Sequence, residues 1–501
     1  MIVAISWIPK GVSKAEPVFA EPPSREDIEE IISNTLANVG EEDENEEDDA
    51  NKKNDEVAHA LTVADAIGKP SNENGDDITL ALKDLNMDNY DEEDEEGFEL
   101  FSSGMGDLYY PSNELDPYIQ NNNENSDSED LENMIYPTDS VVVCARTEDD
   151  LNFLQVFILE DANTRDMNLY THHDIIIPEF PLCTAWLDCP LKGGEKGNFL
   201  AVGSMGPSIE IWDLDVIDEV EPCVVLGGKE KRKKGKNGKK KSRAVLLWSV
   251  LFENLNKSAK YKEDSHTDSV LGLAWNKKYS NTLASASADK RVKIWDVVAG
   301  KCTITMDHHS DKVQAVAWNH HAQHILLSGS FDHTVALKDV RTPSHSGYTW
   351  SVSADVEGLA WDPHTEHSYV VSLEDGTVKS FDVRTAVSNA SAEQNATFTL
   401  HAHDKSVTSV SYNVSAPNLL ATGSMDKTVK LWDLSNNQPS CVASKTPEAG
   451  AVFSISFSED NPFLLAIGGS NGKLQLWDTL SDEGISRRYE QYNRNQPQSG
   501  A

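Results

Sequence analysis

Residues 270–296 read VLGLAWNKKYSNTLASASADKRVKIWD. Three short apolar runs lie in this stretch, one ending at Trp275, one of small residues (TLASAS), and one ending in Trp295-Asp296. Their length and their bounding polar, turn-forming residues point to strands rather than helices. Outward from this stretch the same unit returns. Ile211-Trp212-Asp213, Ile294-Trp295-Asp296, Leu431-Trp432-Asp433 and Leu476-Trp477-Asp478 end the third run, with degenerate copies at Leu337-Lys338-Asp339 and Ser380-Phe381-Asp382. The steps between them are 83, 43, 43, 51 and 45 residues. Trp186, Trp275, Trp318, Trp361, Tyr412 and Phe457 end the first run, stepping 89, 43, 43, 51 and 45. FLAVGS, TLASAS, ILLSGS, YVVSLE, LLATGS and LLAIGGS supply the middle run of each unit.

This is the WD40 pattern, and it predicts an all-β, seven-bladed β-propeller. Six repeats are plain. The seventh emerges if residues 2–8 (IVAISWI) form its inner strand and residues 140–146 and 152–159 its second and third. Blade 1 then begins at residues 1–9 and resumes after an acidic insertion over 10–139. Residues 140–226 complete it and hold blade 2, and a basic loop over 227–264 precedes blades 3–7 at 265–492. Residues 493–501 are expected to form a disordered tail. Nine of the eleven tryptophans fall in the two periodic series, leaving Trp248 and Trp350 outside, so the tryptophans are expected in the core.

The formal net charge of −40 is distributed unevenly. Residues 1–140 carry 38 acids and 7 bases, and residues 227–264 carry 4 acids and 13 bases. Acidic runs at Glu41–Asp49 and Asp91–Glu96 repel themselves and hold too little apolar surface to offset the entropy of ordering. Most of 40–135 is therefore expected to be disordered. An exception is 25–39, where Ile28, Ile31, Ile32, Leu36 and Val39 recur at helical spacing behind a Ser24–Asp27 cap. That amphipathic helix would pack on the main domain or dock on a partner. No apolar run is long enough to cross a membrane. Six scattered cysteines without a C-x-x-C pair argue against a zinc site or disulfide framework and suit a reducing, intracellular compartment.

The repeat order, the inner strand separated from its blade by an acidic region, and the lysine-rich insert before the third blade together resemble the periodic tryptophan protein 1 family. Asn89-Tyr90-Asp91-Glu92-Glu93, Asp116-Pro117-Tyr118, the run Ile209–Asp215 and the Gly/Lys-rich 227–241 leading to His266-Thr267-Asp268 carry the resemblance, which spans nearly the whole chain. Residues 244–255 (AVLLWSVLFENL) depart from it, as a partner-binding helix or an extension of the loop. The resemblance implies a nuclear and nucleolar factor in ribosome biogenesis, concerned with ribosomal RNA transcription or processing and with histone contact.

Aspartates ahead of the third strands have a structural reading. WD40 blades link such an Asp through a His and a Ser to the strand Trp. His266, Ser287, Asp289 and Trp295 fit this pattern in blade 3, and His403, Ser424, Asp426 and Trp432 in blade 6. Blade 4 keeps His309 and Asp332 but has Lys338 in place of Trp, so blades 4 and 5 are expected to be less rigid. His320, His321 and His324 form the densest histidine cluster, without a nearby Cys or paired carboxylate to suggest metal binding. No phosphate loop, His-Glu-x-x-His or Gly-x-Ser-x-Gly occurs, and no enzyme activity, cofactor or small-molecule substrate is expected.

The basic run Lys229, Lys231, Arg232, Lys233, Lys234, Lys236, Lys239, Lys240, Lys241 and Arg243 is long enough for nuclear import or for contact with RNA phosphates. No aromatic interleaving supports base stacking there. Ser126 and Ser128 sit among acids, a context for acid-directed phosphorylation. Asp339-Val340-Arg341 and Asp382-Val383-Arg384 resemble the Trp-Asp-x-Arg box of cullin-4 ligase substrate receptors, with Lys338 and Phe381 where Trp would stand.

The expected function is therefore a non-enzymatic scaffold that docks nuclear protein partners, pre-ribosomal or chromatin components such as histones, on a rigid ring. A histone chaperone using the acidic tract and a cullin-4 substrate receptor are the alternatives.

Overall fold

A computed structural model describes residues 1–20, 134–149, 151–160, 168–191, 193, 197–228, 261–262, 264–342, 345, 347–385 and 396–493. The expected helix at 25–39, the disorder of the acidic insertion, the basic run and the stretch 244–255 lie outside these residues.

Each repeat folds as its pattern dictates. The inner strands of blades 3–7 open on a valine (Val270, Val313, Val356, Val407 and Val452), and all five are fully buried. The second strands Phe199–Ser204, Leu419–Ser424 and Leu464–Gly469 are buried along their whole length, and those of blades 3–5 at every position but the first. Neighbouring blades cover both of their faces, which is why these runs are apolar or small throughout instead of alternating. Their glycines mark where the next blade arrives. A Cβ on Gly203 would lie 2.8 Å from Val270 Cγ1, and one on Gly423 would lie 2.8 Å from Val452 Cγ1.

The ring has seven antiparallel sheets. Blade 1 is built from Ile2–Ile8, Ser140–Glu148, Leu151–Glu160 and Asn168–Ile177. Blade 2 runs Pro181–Leu187, Phe199–Ser204, Ser208–Asp213, Val224–Gly227. Blade 3 runs Val270–Trp275, Thr282–Ser287, Val292–Asp296, Lys301–Met306. Blade 4 runs Val313–Trp318, Ile325–Ser330, Thr334–Asp339, Tyr348–Ser351. Blade 5 runs Val356–Trp361, Ser368–Leu373, Thr377–Asp382, Phe398–His401. Blade 6 runs Val407–Tyr412, Leu419–Ser424, Val429–Asp433, Ser440–Lys445. Blade 7 has three strands among the described residues, Val452–Phe457, Leu464–Gly469 and Gln475–Asp478.

A helix, Glu483–Asn493, follows blade 7. The Asp482 side chain accepts the Gly484 N–H at its start, a standard N-terminal cap. Ile485 and Tyr489, one turn apart, bury against a cluster that includes Ala443 and Trp477, and Arg488 pairs with Asp433 at 3.1 Å.

Closure of the ring depends on the first strand. Trp7 pairs with Val142 across the 9–139 interval, while the other flank of the strand packs on blade 7. Trp7 Nε1 donates to the Ser456 carbonyl at 3.0 Å, and a Cβ on Gly468 would lie 2.5 Å from Ile2 Cγ2. Both insertions have roots at blade 2. Val18–Phe19 pairs in parallel with Val216–Ile217, and the returning chain joins there, Ile135 N donating to the Ala15 carbonyl at 2.9 Å. The second insertion leaves after Gly227, and Lys262 N returns to the Gly228 carbonyl at 2.9 Å.

Candidate functional site

The geometry of the buried polar chains follows from strand register. In blade 3, His266 Nδ1 lies 2.8 Å from Asp289 Oδ2 and its Nε2 2.7 Å from Ser285 Oγ, to which Trp295 Nε1 donates at 2.8 Å. Blade 6 repeats this with His403, Asp426, Thr422 and Trp432, at 2.9, 2.7 and 2.9 Å. One assignment satisfies every group with a neutral ring. The indole N–H donates to the hydroxyl, the hydroxyl donates to Nε2, and Nδ1–H donates to the carboxylate.

The hydroxyl in each chain therefore differs from the expected one: Ser285 replaces Ser287, and Thr422 replaces Ser424. Trp295 pairs opposite Leu283 and Trp432 opposite Leu420. Each indole reaches the hydroxyl two residues along the second strand, and the expected serine lies two residues farther, at the turn. There, Ser287 Oγ accepts the Asp289 N–H at 3.1 Å and donates to the Asp268 carbonyl at 3.1 Å. Ser424 holds Asp426 in the same way.

Electrostatics agree with neutral rings. Burial, against the pull of Asp289, holds His266 below the ordinary histidine range, and His403 is lowered by burial too. Burial alone would raise the Asp289 carboxyl, but hydrogen bonds from His266 and the Thr267 and Arg291 amides outweigh it and bring it below the usual carboxylate range.

Blade 4 rebuilds the chain where Lys338 replaces Trp. His309 bridges Asp332 at 3.0 Å and Ser328 at 2.8 Å. His308 Nε2 takes the tryptophan's place on Ser328 at 2.9 Å. Burial, then His309 and Lys338, push His308 down to about 3. Lys338 donates to the His345 carbonyl at 3.0 Å. Blade 5 replaces the chain with aromatic packing. Val371 holds the hydroxyl's position, and Tyr369 stacks on Phe381 at 5.6 Å and meets Trp350 edge-on at 5.4 Å. Trp350, outside both periodic series, is thus a fully buried core residue on the outer strand of blade 4. In blade 4 His308 thus stands where the indole is missing, and in blade 5 aromatic packing fills the place of the polar chain.

Blade 2 uses a carboxyl. Val202 occupies the hydroxyl's position, and Trp212 Nε1 donates to Glu210 Oε2 at 3.3 Å. Burial, then Glu179, push the Glu210 carboxyl up to about 7. A raised carboxyl pKa gives stability that is full below the unfolded-state value and lost as pH rises through 7. Glu210→Gln keeps the acceptor for Trp212 without the charge. It is expected to stabilise the protein by about 1–3 kcal/mol at pH 8 and to be neutral near pH 4.5. Urea unfolding at the two pH values checks this, and an equal effect at both would show that Glu210 is not held protonated.

On the opposite face, the aromatic residues that end the inner strands surround the mouth of the central channel. Three of their indoles staple a blade to the one before it: Trp318 to the Ala274 carbonyl at 3.0 Å, Trp361 to Ala317 at 3.1 Å, and Trp275 to Asp188 at 2.9 Å. Asparagines on the following turns bind in the other direction. Asn276 donates to the Gln323 carbonyl at 2.7 Å, Asn319 to Glu366 at 3.0 Å, and Asn413 to Pro462. With their polar atoms engaged, the indoles present apolar walls to two cavities, of about 630 and 370 Å³. Lys277 and Glu459 line both cavities and form an ion pair that joins blade 3 to blade 7 across the mouth.

His320, His321 and His324 lie on the blade 4 turn of this face, where His321 Nε2 meets the Pro363 carbonyl at 3.2 Å. Among the described residues no group of three or more His, Cys, Asp or Glu is arranged to hold a metal, and no helix is long and apolar enough to cross a membrane. Arg341 and Arg384 each fold back onto their own aspartate, at 2.7 and 2.6 Å. The basic run Lys229–Arg243 and Ser126 and Ser128 lie outside the described residues. The channel-mouth ion pair escaped the sequence reading because its partners are 182 residues apart with no local signal. Ser285 and Thr422 each stand ten residues before the strand tryptophan, but Ser287 and Ser424 share the same strand face, and the spacing alone does not choose between them.

A closed ring of WD blades with structural polar chains and an open channel mouth is a binding scaffold of the WD40 class. Two segments, 394–433 and 439–478, match the family described as WD domain, G-beta repeat, and residues 244–321 match the Anaphase-promoting complex subunit 4 WD40 domain. An uncharacterized WD repeat-containing protein of Schizosaccharomyces pombe is 36% identical over 90% of this chain and 83% of its own length. Periodic tryptophan protein 1 of Saccharomyces cerevisiae is 33% identical over 60% of this chain, and the Periodic tryptophan protein 1 homolog of Drosophila melanogaster is 28% identical over 60%. The matches span 55 and 56% of the lengths of these two relatives. The chain belongs to the periodic tryptophan protein 1 family of WD-repeat proteins.

Proposed function

We propose that this protein is a non-enzymatic scaffold of nucleolar ribosome biogenesis, serving ribosomal RNA transcription or pre-ribosomal RNA processing, as the family resemblance implies. The observation that carries the reading is the placement of both charged insertions. The acidic segment, residues 1–140 with 38 acids and 7 bases, and the basic segment 227–264, with 13 bases and 4 acids, are rooted on the same blade of a rigid ring. A platform of this kind presents one partner surface on the ring while the acidic chain competes for basic proteins and the basic chain for nucleic acid or an import receptor. In this reading the run Lys229–Arg243 directs nuclear import and reaches RNA phosphates, and phosphorylation of Ser126 and Ser128 adds charge of the sign already there.

Affinity purification of the full chain from nuclear extract, with and without RNase, tests the reading. Pre-ribosomal proteins retained after RNase are the expected result, and their absence would overturn it. The same purification with 40–135 deleted separates the histone-chaperone alternative. Core histones recovered by the full chain and lost on deletion, without pre-ribosomal proteins, would favour that alternative.

A further inference from the structure

The smaller cavity at the channel mouth has a composition that the scaffold reading does not use. Its walls are the indoles of Trp7, Trp186 and Trp275 and the Phe457 ring, and its charged groups are Asp188, Glu459, Asp460 and Lys277. Three carboxylates thus face one ammonium. The three indoles are only half-buried, unlike Trp318 and Trp361 farther round the ring. Asp188 accepts the Trp275 indole at 2.9 Å and Asp460 accepts the Lys10 amide at 2.8 Å, so both are fixed in place at the rim. Glu459 is the carboxylate that takes a cation, and the cation is the chain's own Lys277, reaching across from blade 3.

Lys277 and Glu459 are 62 and 53% exposed. An exposed pair of this kind adds little to stability and is exchangeable for a better cation. A guanidinium is that better cation. It is planar, stacks on indole faces, and grips a carboxylate with two parallel N–H bonds, whereas an ammonium offers a point charge.

We propose that the channel mouth between blades 7, 1, 2 and 3 is a binding pocket for an arginine side chain of a partner protein, and that Lys277 occupies it as an internal competitor. The arginine enters between Trp7, Trp186 and Trp275, its guanidinium takes Glu459, and Lys277 swings out to solvent. In the larger cavity the nearby His320 is held below the ordinary histidine range by burial first and by Lys277 next, so it does not add a competing cation at neutral pH. The site stands whether or not the partner belongs to ribosome assembly.

Removing the two members of one ion pair should then shift binding in opposite directions. The probe is an end-blocked pentapeptide whose only charge is a single central arginine, compared with the same peptide carrying uncharged citrulline, and binding to the full chain is followed by saturation-transfer NMR. Lys277→Ser is expected to tighten the arginine peptide about fivefold, and Lys277→Met gives a second reading free of any new hydrogen bond. Glu459→Gln is expected to weaken it about tenfold. The thermal midpoints of all three variants should match the parent, because the pair contributes little to stability. The proposal is overturned if the citrulline peptide binds as well as the arginine peptide. It is equally overturned if removing Lys277 weakens binding, if Glu459→Gln leaves binding unchanged, or if neither parent nor Lys277→Ser binds the probe.

Discussion

His266→Ala is expected to lower the unfolding free energy by about 3–5 kcal/mol, among the largest losses available from a single side chain in this ring. The ring of His266 is fully buried and is the middle member of a chain whose hydroxyl and indole are buried with it, while Asp289 keeps the Thr267 and Arg291 amides. Without it the Ser285 hydroxyl loses its acceptor at 2.7 Å and the Asp289 carboxylate its donor at 2.8 Å. A buried neutral group left unpaired costs about 1–3 kcal/mol, and a charged one more. The same logic ranks the two serines. Ser285→Ala strands both the indole N–H of Trp295 and the histidine, and is expected to cost about 2–3 kcal/mol. Ser287→Ala removes a turn contact, the acceptor of the Asp289 amide and the donor to the Asp268 carbonyl, outside the His–Trp chain, and is expected to cost about 1 kcal/mol. In blade 6, Thr422→Val should likewise exceed Ser424→Ala. Urea unfolding of the four variants gives the order directly, and an effect of Ser287 or Ser424 larger than that of its neighbour would refute the chain through Ser285 and Thr422.

That ranking marks the limit of what the sequence discloses about this fold. The blades were legible because one solution to burial recurs around the ring. An aromatic ends the inner strand, short runs fill the doubly covered second strand, and in five of the seven blades the third strand closes on an aromatic and an aspartate. Even the split first blade could be recognised from Trp7 and the run after Ser140. The choice between Ser285 and Ser287 was not legible, since both hydroxyls lie on one face of the strand. Only the pairing of Trp295 with Leu283 separates them. Nor was the repair of blade 4, where His308 stands in for a missing indole, because adjacent histidines in a sequence do not show which ring will turn inward. The tryptophans were assigned to the core, and the structure adds that the N–H groups of Trp7, Trp275, Trp318 and Trp361 tie a blade to its neighbour. The Lys277–Glu459 pair was hidden for a simpler reason: only closure of the ring brings blade 3 and blade 7 to the same mouth.

Closure itself yields the second large effect. A protease site introduced between Pro70 and Ser71, once cut, is expected to leave the two pieces associated as one species in size exclusion and separable only under denaturing conditions. The first strand is held by burial, not by its covalent link. Ile2, Ile5 and Ile8 are 0, 9 and 2% exposed, and fully burying each contributes about 1.5–3 kcal/mol. The strand also pairs with blade 1 from Ile2↔Arg146 to Ile8↔Val141, and Val18–Phe19 adds a second grip on blade 2. Joining the strand to its blade through residues 9–139 costs little extra, because loop-closure entropy grows only logarithmically with length. A long acidic insertion is tolerated here for that reason. Trp7→Ala removes both the staple to the Ser456 carbonyl and the packing of an indole, an expected loss of about 3–5 kcal/mol. In the uncut chain this appears as a lower unfolding midpoint. In the cut chain, where the covalent link no longer supplies a high local concentration, the same substitution should release the N-terminal piece. Dissociation of the cut parent protein under native conditions would show instead that the ring depends on the covalent connection through the insertion.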